Sequence, residues 1–174
     1  MEIAQPGLEN HAVSSADVER AVLVPDDKDT EILKKEIATY HWNIYTPTIS
    51  QLQDVNWFYE PTGPSQIATR LLTDNGRQRK ISSVVQMYYE KGSLLPTDFS
   101  NHIDDLVDFL GTGGKFRPLL LVRGRNPLTH TTYALDGNHR LLAYALWGKR
   151  NGITDFSVDA FLGRRFYPFE PHAR

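Results

Sequence analysis

The sequence predicts an α+β domain, a small mixed β-sheet with flanking helices. Three observations lead there. The middle of the chain repeats apolar residues at helical spacing, as in "QRKISSVVQMYYEKG" and "SNHIDDLVDFLG". Two strand-length apolar stretches, "RPLLLVRG" and "TTYAL", follow one another across a short turn. The second of these then runs into a helix through "DGNHR". A chain of 174 residues is long enough for one domain with a real core.

Taken in order, residues 1–28 are polar and poor in large apolar side chains, and read as a flexible or lightly docked arm. Residues 29–174 read as a single domain. "TEILKKEIATY" places Ile32, Leu33 and Ile37 on one helical face. The stretch after it is rich in aromatics and broken by Pro47, Pro61 and Pro64, which predicts short strands and turns. Trp42, Tyr45, Trp57, Phe58 and Tyr59 are expected to pack in or around the core. A helix then carries Ile81, Val84, Val85 and Tyr88, with Gly92 as its stop. The next carries Ile103, Leu106, Val107 and Leu110, capped by Ser100 or Asn101 and ended by Gly111. "PLLLV" is apolar without alternation and predicts a strand buried on both faces. Leu141, Leu142, Ala145 and Leu146 form a helical stripe that ends at Gly148, and "FSVDAFLG" is the last strand.

Composition narrows the function classes. Without cysteine there is no disulfide framework, thiolate nucleophile or Cys-ligated zinc. No apolar run reaches the roughly 20 residues of a membrane-spanning helix, and the first 20 residues do not read as a secretory signal. A cytoplasmic location and no membrane partner are the expectations. The formal net charge of −2 counts against a dedicated nonspecific nucleic-acid binder, whose affinity rests on a basic surface.

The junction Asp136-Gly137-Asn138-His139-Arg140 carries the chemistry. A helix N-terminus presents the positive end of its dipole and suits a phosphate. Gly137 permits a positive φ and close approach of a ligand. Asn138 reads as the N-cap. Arg140 suits bidentate phosphate binding, and His139 can donate a hydrogen bond or a proton. Asp136 at the strand end can hold Mg²⁺ or orient an attacking hydroxyl. Each residue alone also has a plainer reading as turn, cap or solvated side chain.

The stretch from Phe116 to Leu162 resembles the nucleotide-binding half of the ParB/sulfiredoxin superfamily, in "PLLLV", "TTYALDG", "GNHR" and "LLAYALWG". The equivalent turn is Gly-Cys-His-Arg in sulfiredoxins, where it holds ATP phosphates. It is Gly-Glu-Arg-Arg in ParB proteins, where it binds CTP. In free-serine kinases of this fold it is Asp-Gly-His-His-Arg, the version nearest to this chain. Asn138 stands at the sulfiredoxin cysteine, which excludes sulfinic-acid repair by that thiol. No helix-turn-helix follows, which argues against chromosome partition. The resemblance implies nucleotide binding at Gly137, Asn138, His139 and Arg140, with ATP or ADP as the nucleotide and Mg²⁺ on Asp136. It also implies an upstream glutamate base, for which Glu60 is the candidate by position, and an upstream arginine, for which Arg70 is the candidate.

Other motifs read more plainly. "GTGGK" lacks the full phosphate-loop form and follows a helix. Asp98, His102, Asp104, Asp105 and Asp108 form a solvated acidic face. His130 sits in a variable loop, and Arg164 and Arg165 in "GRRF" are a surface pair or a polyanion contact. The expectation is a small phosphotransferase or nucleotide hydrolase, with a nucleotide and a small-molecule acceptor as partners. The alternatives are a ParB-like metal-dependent nuclease, using Asp136 and His139, and a non-catalytic nucleotide switch whose N-terminal segment meets a protein partner.

Overall fold

A computed structural model of the chain describes residues 11–24, 30–57, 66–73, 79–124 and 131–165. Within them the order is β1 (Ala12–Val13), α1 (Ser15–Val22), α2 (Thr30–Ile37), β2 (Tyr40–Tyr45), α3 (Ile49–Leu52), β3 (Asn56–Trp57) and α4 (Gln66–Leu72). Then come β4 (Arg79–Lys80), α5 (Ile81–Lys91), α6 (Thr97–Gly111), β5 (Leu119–Arg123), β6 (Thr132–Asp136), α7 (Asn138–Asn151) and β7 (Ala160–Arg165). The fold is α+β, with seven helices and one open, mixed, seven-stranded sheet among the described residues. Its strand order is β1-β2-β7-β5-β6-β3-β4. β5 runs parallel to β7 and antiparallel to β6. No helix among the described residues is long and apolar enough to cross a membrane.

The central strand shows why an unalternated apolar run was needed. Leu119 and Leu121 enter a large core with α3 to α7, while Leu120 and Val122 enter a second core on the other face. That second core is closed by Val18 and Val22 of α1, Ile37 of α2 and Trp42 of β2. The described part of the N-terminal segment, 11–24, therefore supplies an edge strand and a helix with two buried valines. Trp42 Nε1 donates to the Ile37 carbonyl at 2.8 Å, which ties the end of α2 to β2.

The helices carry the expected faces with some shifts. α5 buries Ile81, Val84, Val85 and Tyr88 as the spacing predicts, and the chain continues past Gly92 in a 3₁₀ turn. α6 starts at Thr97 behind Pro96, not at Ser100 or Asn101, because Phe99 joins its buried face and extends the helix by a turn. On α2 only Ile37 is buried, Leu33 packs partly against the smaller core, and Ile32 is 65% exposed. α7 does not stop at Gly148. It continues to Asn151 and ends at Gly152 in the left-handed region. Gly148 is where the helix meets α3, since a Cβ there would lie 2.7 Å from Ile49 Cγ2. β7 begins at Ala160 rather than Phe156 and extends through Arg165. Trp42 and Trp57 are core residues, and Tyr45 packs against the larger core. Phe58 and Tyr59 lie outside the described residues.

Candidate functional site

α7 is apolar almost all round, with Leu141 to Leu146 buried without a break. A helix so enclosed has a fixed axis and therefore a fixed N-terminus. Its N-cap is Gly137, at φ +90° and with no side-chain cap, and Asn138 is the first helical residue. This corrects the expectation of an asparagine cap. The reason is steric. The chain must turn sharply out of β6, and a Cβ at 137 would lie 2.8 Å from Leu119 Cδ2 and 3.0 Å from an Arg140 nitrogen. Gly137→Ala is expected to cost about 2 kcal/mol from the left-handed backbone alone, with more from that clash, measured by urea denaturation.

Asp136 is positioned by a feature with no signal in the sequence. Leu121 pairs with Ala134, but Leu120 pairs with Asp136, so Leu135 is an extra residue on β6. Such bulges re-aim the side chain beside them. Asp136 Oδ2 accepts from Arg140 at 2.6 Å. The same guanidinium donates to the carbonyls of Arg117 at 2.8 Å and Pro118 at 3.2 Å. Arg140 thus laces the start of α7 to the segment leading into β5. Its guanidinium has three acceptors from the protein, which the reading of it as an open phosphate clamp did not foresee.

His139 lies against Phe99, with ring centroids 5.4 Å apart and nearly perpendicular, and against His102 at 5.2 Å. The Trp57 ring is 6.4 Å away. Trp57 Nε1 is buried with no hydrogen-bond partner among the described residues. Burial, and secondarily the charge of His102, pushes the His139 pKa from 6.5 down to about 4. His139 is therefore a neutral imidazole at pH 7. It can donate or accept a hydrogen bond, and its burial makes it a poor proton acceptor.

Asp136, Arg140, His139 and His102 share a cleft of about 530 Å³. Asp136, Gly137, Asn138, His139 and Arg140 line one wall, and Arg117, His102 and Leu106 join them. Val22, Leu23, Val24, Thr30 and Leu33, from the ends of α1 and α2, form the facing wall. Arg117 Nη1 donates to the Val22 carbonyl at 2.7 Å and so links the two walls. The cleft combines two guanidiniums, two imidazoles, one carboxylate and the positive pole of a 14-residue helix with a mostly aliphatic wall. That suits a ligand with an anionic head and a less polar body.

The other candidates lie elsewhere. Arg70 is on the exposed face of α4 and is not among the residues lining the cleft. Glu60 and His130 lie outside the described residues. Asp104 pairs with Arg150 at 3.0 Å on the surface. Among the described residues, no three His, Asp or Glu side chains gather as a metal site. Asp136 is thus a single carboxylate, which is enough for Mg²⁺ only where a ligand's own phosphates and water complete the shell. Sequence reasoning missed Arg117, the pairing of His102 with His139, and the wall from α1 and α2. The first was hidden before a strand and the second inside an acidic run. The third depends on which sheet face the N-terminal segment covers.

No family model, curated protein or solved structure matches the chain.

Proposed function

We propose that this chain is a nucleotide-binding protein of the ParB/sulfiredoxin kind, a small phosphotransferase or nucleotide hydrolase that takes ATP or ADP. The observation that carries the reading is the N-terminus of α7, which has no side-chain cap and opens into the cleft beside Arg117. The phosphates would lie at that helix end, where dipole and guanidinium act together. The nucleoside would lie along Val22, Leu33, Leu106 and Leu135. Asp136, held in place by Arg140, is the residue that would hold Mg²⁺ arriving with the nucleotide, and that ion would supply charge neutralisation at the phosphates. His139, a neutral imidazole whose burial disfavours its charged form, is suited to hydrogen-bond the phosphoryl group. Positioning and electrostatics supply most of the catalysis in phosphoryl transfer, so this set is chemically sufficient for a slow enzyme.

Isothermal titration with ATP, ADP, CTP and GTP in Mg²⁺ tests the reading. Saturable binding is expected, weakened roughly tenfold by Arg117→Gln through loss of one charge-assisted contact. Absence of binding for all four would overturn it. A second reading, a nucleotide switch without turnover, is favoured by the wall that α1 and α2 contribute to the cleft. Tight binding with no phosphate release and no transfer would select it.

A further inference from the structure

The opposite end of the sheet carries two arginines that the cleft does not use. Along β5, Leu119 and Leu121 face the larger core and Leu120 and Val122 the smaller one. Alternation therefore puts Arg123 on the larger-core face. Along β7, Ala160 and Leu162 face the larger core, so Arg164 shares that face and Arg165 takes the other. β5 and β7 are parallel neighbours, and Arg123 and Arg164 stand one step beyond the Val122–Gly163 pair. Side by side on strands about 4.8 Å apart, the two guanidiniums reach the same space.

Nothing in this row neutralises them. His41 faces Arg164 across β2, and Thr132 faces Arg123 across β6, so the four-strand row holds no carboxylate. Among the described residues, no ion pair involves either arginine. Arg123 is partly buried. Burial first, and then the charge of Arg164, lower its pKa, and the Tyr45 phenol acts in the opposite sense. A guanidinium does not shed its proton in a protein. A partly buried cation beside a second cation is stabilised by an anion placed between them.

We propose that Arg123 and Arg164 form a second anion site, which takes one tetrahedral oxyanion, a phosphate monoester or inorganic phosphate. Two forked guanidiniums on adjacent strands suit an ion with at least three oxygens, one edge for each fork. The site lies at the far end of β5 from Asp136, which pairs with Leu120. It therefore stands independently of the nucleotide reading of the cleft.

The test is a titration of the full chain with inorganic phosphate at constant ionic strength, followed by the side-chain Nε–H signals of its arginines in NMR. Saturable shifts of Arg123 and Arg164 are expected. Arg164→Gln should weaken that binding at least tenfold. Arg165→Gln, on the other face, and Arg117→Gln, in the cleft, should leave it unchanged. Both Arg164 and Arg165 can be changed without opening the core, so folding does not confuse the outcome. Unmoved Arg123 and Arg164 signals, or equal losses in the Arg164 and Arg165 variants, would overturn the proposal.

Discussion

Arg140→Ala is expected to lower the stability of the fold by about 2–3 kcal/mol, and its Tm by roughly 5–10 °C for a chain of this size. The Arg140 side chain is 14% exposed and its partner Asp136 33%. The usual cost of breaking a fully buried pair, about 3–5 kcal/mol, must therefore be reduced for solvent screening. The loss exceeds that of a surface pair because Arg140 also serves the Arg117 and Pro118 carbonyls. Arg140→Lys should rescue little, since one ammonium cannot reproduce the fork that reaches all three acceptors. Asp136→Asn should cost less, and the double variant less than the sum of the singles, which denaturant unfolding of all four proteins would measure. Full additivity would mean that the pair is not coupled.

The second large effect is a pH dependence set by His139. Its pKa falls from 6.5 in the unfolded chain to about 4 in the fold. Above pH 6.5 both states carry a neutral imidazole, and the fold has its full stability. Between 6.5 and 4 the unfolded chain binds a proton that the folded chain refuses, so stability falls as the pH falls. The group accounts for about 3 kcal/mol across that window. His139→Phe keeps a ring against Phe99 and Trp57 and removes the titration. Relative to wild type, the variant should hold its stability better on passing from pH 7 to pH 4. His102→Gln should raise the His139 midpoint, because the charge of His102 is one of the two causes that lower it. A His139 NMR titration with a midpoint near 6.5 would contradict the buried placement. An anion bound beside the ring would move that midpoint up, so the same titration with and without nucleotide also reads occupancy of the cleft.

Much of the frame was legible because the signals were local. The helix carrying Ile81, Val84, Val85 and Tyr88 follows from spacing alone. The central strand follows from "LLLV", four apolar residues in a row that only a doubly covered strand can bury. The strand–turn–helix junction at 136–140 was also visible. Asp, Gly and the apolar helix after them are each strong local punctuation. What was not legible is the non-local part. Nothing local announces that the helix 15–22 covers the second face of the sheet, because its buried residues, Val18 and Val22, are modest apolar side chains in a stretch without a large one. The inserted Leu135 is a matter of register between strands. The fate of Arg140 depends on two carbonyls more than twenty positions earlier. Arg164 and Arg165 looked alike in sequence, and strand alternation separates them only once the start of β7 is known.

On the proposed nucleotide reading, a phosphate docks at the start of α7. The most direct measurement is a backbone-amide NMR titration of the full chain with ADP in Mg²⁺. The largest shifts are expected at Gly137, His139 and Arg140, with smaller ones at Val22 to Val24 on the facing wall and none at Arg70. Shifts confined to other surfaces, or no shift at millimolar ADP, would contradict that reading.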